Sequence, residues 1–65
     1  MGEIIIYNND GSFKIYRECV IEEITDKLFK FRSEGRLFCY VLENIQGYSM
    51  DEKVLLYLMY QMKER

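Results

Sequence analysis

The residues that could carry chemistry in this 65-residue chain are two cysteines, a few serines and one pair of adjacent acids. The chain has no histidine, so a serine or cysteine nucleophile would need a lysine or a carboxylate as its base. Ser12, Ser33 and Ser49 stand where turns or a helix cap would use them. Cys19 and Cys39 stand in apolar runs, where burial keeps a thiol protonated. We therefore expect no catalytic residues and a protein that is not an enzyme.

The sequence also predicts no metal and no cofactor. Glu22 and Glu23 are neighbours on a predicted strand, where successive side chains point to opposite faces, so they share no site unless a bulge intervenes. A structural zinc site needs four ligands, and the two cysteines, which form no CxxC pair, are expected to be small buried hydrophobes. The four glycines are isolated, so no glycine-rich loop is present to hold a phosphate.

The composition indicates a folded domain, with 31% charged residues, 15% aromatic residues and a net charge of −2. The apolar run near the N-terminus, residues 4–7, is too short for a signal peptide or a membrane span. We expect one cytoplasmic domain, residues 1–65, that contacts no membrane. Because so short a chain buries only about 60% of its unfolded surface, self-association as a homodimer or higher oligomer is the expected route to stability.

The elements that would position these residues are short strands within residues 3–48. Asp10-Gly11 is a strong hairpin signal, and further turns are predicted at residues 26–27 and 33–35. Val20 and Ile21 break the alternation of apolar and polar residues, which predicts a bend or bulge near residues 17–19. The segment "RLFCYVL" is almost wholly apolar, which predicts a strand covered on both faces.

A helix is predicted at about residues 50–64, with Ser49 and Glu52 as a capping box. Its apolar residues divide into two sets at about 100° per residue. One stripe should cover the sheet: Val54, Leu55, Leu58, Met59 and Met62. The other set lies elsewhere on the helix and is expected to form an interface with a partner or a second copy: Leu56, Tyr57 and Tyr60.

Together these elements predict an α+β fold, in which a small antiparallel β-meander of about five strands precedes one C-terminal α-helix. The sheet is expected to be curved or to form an SH3-like barrel. The segments "IIIYNNDGSFKIY" and "VIEEITDKLFKFRSEGRLFCYVLENIQGY" resemble the small SH3-like and Sm-like barrels of Firmicutes and their phages. The resemblance rests on the DG hairpin, the meander and an N-I-x-G-Y-like segment before the helix. It implies a non-enzymatic, often oligomeric protein that binds a protein, a nucleic acid or a small nucleotide.

Three functions follow from these features. The leading hypothesis is a protein-binding regulator or inhibitor, encoded by a phage or mobile element, that acts as a homo-oligomer. The second is an Sm-like protein that binds nucleic acid or a nucleotide through Lys30, Arg32, Arg36 and Tyr40. Alternation along the strand nevertheless predicts that Phe29 and Phe31 belong to the core, while Lys30 and Arg32 face solvent. The third is a structural subunit of a larger assembly.

Overall fold

The computed structural model describes residues 2–63, with side chains as far as residue 61. Within this range the chain forms, in order, β1 (Gly2–Asn8), β2 (Phe13–Ile24), β3 (Leu28–Ser33), β4 (Arg36–Val41), a 3-10 turn (Leu42–Asn44), β5 (Ile45–Met50) and α1 (Glu52–Lys63). The strands form one antiparallel sheet in the order β4-β3-β2-β1-β5. The sheet is curved and unclosed, so β4 and β5 are its edges. The predicted α+β meander with one C-terminal helix is confirmed, in its curved-sheet form.

The predicted turns connect the strands. Gly11 has a φ of 91° in the β1–β2 hairpin, and the Asp10 carboxylate accepts hydrogen bonds from the hydroxyl and the N–H of Ser12. These two hydrogen bonds hold the pKa of Asp10 below its usual value. In the β3–β4 turn, Glu34 and Gly35 have φ values of 50° and 82°. Consecutive positive φ angles suit a tight hairpin, because they match the twist of the flanking strands.

The bend predicted in the second strand is a bulge in β2. Gly2 lies opposite Cys19 and Ile4 lies opposite Tyr16, so β2 has one more residue than β1 between these two pairs. Glu18 takes a φ of 53° at this point. The extra residue keeps Tyr16 and Cys19 on the same face of the sheet, where both are buried.

The core lies on one face of the sheet, which we call the inner face. Its buried apolar side chains are Ile4, Ile6, Tyr16, Cys19, Ile21, Phe29, Phe31, Ile45 and Val54. Phe29 and Phe31 are fully buried, as the alternation predicts. The ring of Phe31 lies 5.0 Å from that of Tyr16 and 5.6 Å from that of Phe38, so the β3–β4 end of the core is mainly aromatic.

The predicted capping box is wrong, because Ser49 belongs to β5. This strand stays paired with β1 as far as Met50, which keeps Ser49 extended, and its hydroxyl lies 3.3 Å from that of Tyr7. Asp51 begins the helix instead. Its carboxylate accepts a hydrogen bond from the Lys53 N–H at 3.1 Å, and its carbonyl accepts one from the Val54 N–H at 3.0 Å. The described helix runs from Glu52 to Lys63, and residue 64 of the predicted helix lies outside the described residues.

The prediction that β4 is covered on both faces is also wrong. Leu37 and Val41 are 53% and 40% exposed on the outer face of this strand, and Cys39 between them is exposed as well. Phe38 and Tyr40 pack on the core from the inner face. The reason is that α1, the one helix in the described range, packs on the inner face, so the opposite face has no second layer there. Of the two cysteines, Cys19 is buried as expected and Cys39 is not.

Candidate interaction surfaces

The helix α1 buries little of its apolar surface. Val54 is its one fully buried side chain within residues 52–61, and Leu58 is half-buried against the same core. The other large apolar side chains of this range are between 40% and 62% exposed: Leu55, Leu56, Tyr57, Met59 and Tyr60. We call these five residues the helix face.

The predicted core stripe of this helix is therefore wrong at Leu55 and Met59. Val54 and Leu58 do face the core, and the side chain of Met62 lies outside the described residues. The helix packs on β1 and β2, while aromatic rings of β2, β3 and β4 cover one another at the far end of the inner face. The part of the inner face that these rings leave uncovered thus has room for only a narrow stripe of helix side chains.

The predicted interface residues Leu56, Tyr57 and Tyr60 all belong to the helix face. Leu56 and Tyr60 are four residues apart and adjacent on the helix surface, as are Leu55 and Met59. Because these two pairs neighbour each other, the exposed apolar surface is larger than the sequence predicts. Helical periodicity identified the three residues, but it could not show how little of the helix the sheet covers.

Lys30 and Arg32 lie on the outer face of β3, where ion pairs hold them. The Lys30 Nζ is 3.3 Å from the carboxylate of Glu23, and the Arg32 Nε donates to the carboxylate of Glu22. Both glutamates reach this face because the register of β2 against β3 shifts between Ile21 and Glu23. The expectation that Glu22 and Glu23 point to opposite faces is thus overturned by a second bulge. Their carboxylates offset the positive charge that a nucleic acid would require.

Tyr40 lies on the inner face, away from Lys30 and Arg32. Its ring lies 6.1 Å from that of Phe31 at an interplanar angle of 7°, and its hydroxyl shares a hydrogen bond with the hydroxyl of Tyr16. Burial, together with this hydrogen bond, raises the pKa of Tyr16, which stays protonated at neutral pH. The residues proposed for nucleic-acid contact are therefore divided between two faces of the sheet.

Arg36 belongs instead to a shallow groove between β2 and the β3–β4 hairpin. The groove has a volume of about 360 Å³, and its cationic side chains are Lys14, Arg17 and Arg36. Glu34 is the acid in the lining, and the half-buried ring of Phe38 provides an aromatic surface. We call this site the basic groove. Sequence reasoning missed it because its cations come from two segments that only the antiparallel pairing brings together.

A further exposed patch covers the outer face of the first hairpin. Tyr7 lies opposite Phe13 and Ile5 lies opposite Ile15, and the rings of Tyr7 and Phe13 are 6.4 Å apart. Phe13 is 61% exposed. The alternation of Phe13 and Ile15 correctly placed them on one face, but the sequence does not indicate that this face points away from the helix.

Within residues 2–63, no group of three or more cysteine, aspartate and glutamate side chains is arranged to hold a metal ion. The same part of the chain contains no helix of the length and apolar character that crossing a membrane requires. Burial raises the pKa of the Cys19 thiol. No protein-family model, curated protein or solved structure matches this chain.

Proposed function

We propose that this protein is a small non-enzymatic module that acts as a homo-oligomer and regulates or inhibits another protein by binding it through the helix face. The observation that carries this proposal is the exposure of five large apolar side chains on one short helix. Contiguous exposed apolar patches mark interaction sites, because leaving them in water is unfavourable. Tyrosine and methionine, which supply three of the five side chains, are enriched in interface cores.

The energetics support a partner that covers this surface. Burying one large apolar side chain completely contributes about 1.5–3 kcal/mol, and roughly half of that remains available for each half-exposed residue of the helix face. The charges beside it, on Glu52 and Lys53, are of both signs. Such a rim favours a partner with an apolar groove over one with a strongly charged surface.

The test replaces Leu56 and Tyr60 with glutamate, because a charge at the centre of an apolar interface opposes its burial. Tagged wild-type chain first recovers the partner from the source cells, and the purified pair is then measured by calorimetry. We expect the L56E/Y60E variant to bind at least about 10-fold more weakly, since central interface residues contribute more than about 1 kcal/mol each.

The matched control is Gln61→Glu, which adds a negative charge to the same helix at an exposed polar position. It should leave the affinity within about 2-fold, as expected for a peripheral charge. Both variants should keep the circular dichroism spectrum of the wild type. Unchanged affinity for L56E/Y60E would contradict the proposal.

The basic groove supports a second candidate function, the binding of single-stranded nucleic acid or a nucleotide. Lys14, Arg17 and Arg36 supply its positive charge, although Arg17 is also ion-paired with Glu3 at 3.5 Å, and Phe38 supplies a stacking surface. Two phosphate contacts, by Lys14 and Arg36, at about 0.7 each predict a slope of about −1.4 in log affinity against log salt for a single strand. Arg36→Gln should lower the affinity for an oligonucleotide, whereas Lys27→Gln, an exposed cation outside the groove, should not. No binding at low salt would exclude the oligonucleotide, and a thermal-shift screen would test nucleotides.

The remaining parts of the proposal rest on the sequence. A cytoplasmic location is supported by two free cysteines within the described range. The resemblance to small SH3-like and Sm-like barrels, and with it an origin in a phage or mobile element, is supported by the DG hairpin, the meander and the last strand before the helix, in the order that the resemblance implies. A structural subunit of a larger assembly would instead show poor solubility when produced alone.

A further inference from the structure

Within the described residues, the edge strand β4 lacks most of the features that usually prevent edge strands from pairing. Natural edge strands are protected by charges, prolines, bulges or covering segments. In β4 the sole charged residue is Arg36 at its start, the chain has no proline, and the register against β3 is unbroken from Ser33 to Leu28. The opposite edge differs, because the register of β5 against β1 shifts between Tyr7 and Asn8.

The backbone groups at the free edge can be assigned from one hydrogen bond. The Leu42 N–H donates to the Lys27 carbonyl at 2.8 Å, which continues the register of β3 and β4. Hydrogen-bonded and non-hydrogen-bonded pairs alternate along an antiparallel ladder, so Tyr40 and Phe38 also direct their backbone groups to β3. Three residues of β4 therefore direct N–H and C=O groups away from the sheet: Leu37, Cys39 and Val41.

The side chains of β4 are complementary to themselves in one antiparallel register. With Cys39 opposite Cys39 of a second copy, Leu37 faces Val41 and Phe38 faces Tyr40. Apolar residues then face apolar residues, and aromatic residues face aromatic ones. Each outward-directed residue of one copy then lies opposite an outward-directed residue of the other, which gives about six hydrogen bonds, two from each of three pairs. A register centred on Phe38 would place Val41 opposite Gly35, where no side chain meets it.

We propose that β4 is the self-association site of this protein. Two copies pair their β4 strands antiparallel about a two-fold axis at Cys39 and form one continuous ten-stranded sheet. Leu37 and Val41, exposed in the single chain, become cross-strand neighbours on the outer face. The charges permit this approach, because Lys30 and Arg32 on the neighbouring strand are already paired with Glu23 and Glu22. Arg36 lies opposite Leu42 and meets no like charge.

This inference goes beyond the proposed function by assigning the homo-oligomer to an edge separate from the helix face. The helix packs on β1 and β2, whereas β4 lies at the end of the sheet beyond β3. The two proposals can fail separately. L56E/Y60E should remain dimeric while losing its partner, and loss of the dimer in that variant would place the self-contact on the helix and overturn the inference.

The test removes one outward N–H without disturbing the fold. Val41→Pro is suitable, because proline is tolerated on an edge strand where the N–H faces solvent and Val41 has a φ of −85°, near the value that proline prefers. Light scattering and sedimentation over a range of concentrations should show a dimer for the wild type and a monomer for V41P. The control Val41→Ala shortens the side chain but keeps the N–H, so it should still form the dimer. A monomeric wild type, or a V41P variant that dimerises like V41A, would overturn the inference.

Thiol crosslinking gives an independent measurement of the register. A short bis-maleimide joins two thiols when each adds across one C=C bond, and paired residues in this register are about 5.5 Å apart at their Cα atoms. Cys39 is exposed and Cys19 is buried, so the crosslink should form between Cys39 residues. The wild type and the Cys19→Ser variant should form covalent dimer. The Cys39→Ser and V41P variants should form none. A dimer that persists without crosslinking through Cys39 would contradict the register.

Discussion

The two ends of the sheet differ in the structure of the edge strand and in what covers the inner face. At one end β5 has a bulge, and after Asp51 the chain continues into α1, which packs on β1 and β2. At the other end β4 is regular, and the inner face is filled by its own rings, which lie 4.5–6.2 Å apart: Tyr16, Phe31, Phe38 and Tyr40. The docking of the helix thus depends mainly on one buried valine, Val54, whereas the aromatic end depends on a cluster of rings.

This difference shows how a short chain without a second layer divides its apolar residues. The aromatic cluster stabilises the β3–β4 hairpin without help from the helix, so most of the helix surface stays free for a partner. Because the same cluster reaches the last strand of the sheet, it also supports an edge of unbroken register that a second copy can extend. Stability should therefore be concentrated at the aromatic end, and the helix end should be easier to disrupt.

The largest effect is expected for Phe31→Ala at the centre of the aromatic end. Phe31 is fully buried and contacts four other rings. Truncating a buried phenylalanine typically lowers the free energy of unfolding by about 3–5 kcal/mol. A chain of this length is expected to have only about 3–10 kcal/mol in total, at about 0.05–0.15 kcal/mol per residue. Urea unfolding followed by tyrosine fluorescence should show F31A largely or wholly unfolded in buffer.

Phe13→Ala is the matched control, since it makes the same substitution on a strand at a position that is 61% exposed. It should change the free energy of unfolding by less than about 1 kcal/mol, as surface substitutions usually do. Equal losses for F31A and F13A would mean that the aromatic cluster does not hold this end of the sheet.

The sequence predicts the elements of this fold well, because each has a local cause. The Asp10-Gly11 turn, the break at Val20 and Ile21, and the alternation around Phe29 and Phe31 all depend on residues near in sequence. The wrong predictions arise where pairing between strands distant in sequence determines the structure of a residue. Ser49 suits a helix cap, but pairing with β1 keeps it in β5.

The candidate surfaces follow the same rule. Helical spacing identifies Leu56, Tyr57 and Tyr60, since neighbours on a helix can be read from the sequence. The basic groove depends on β2 meeting the β3–β4 hairpin, and no local pattern joins Lys14 to Arg36. The sequence also does not indicate that β4 is an edge strand. The segment "RLFCYVL" has the composition of a central strand, and only its place in the sheet makes it an edge.

The smaller effect in this comparison is expected for Gly2→Ala at the helix end. A Cβ atom at Gly2 would lie 2.7 Å from both the Val54 Cγ2 and the Asp51 Cβ, too close for either to remain in place. Overpacking of this kind lowers the free energy of unfolding by about 1–3 kcal/mol, because the helix must shift from β1.

Gly47→Ala is the control on the neighbouring strand, where a Cβ meets no atom within 4 Å. Its free energy of unfolding should stay within about 0.5 kcal/mol of that of the wild type. Hydrogen exchange should show faster opening of α1 in G2A while the amides of β3 keep their protection, since the helix end opens without the aromatic end. If G2A instead lowers protection equally in α1 and β3, the two ends unfold as one unit and the proposed division of stability between them is wrong.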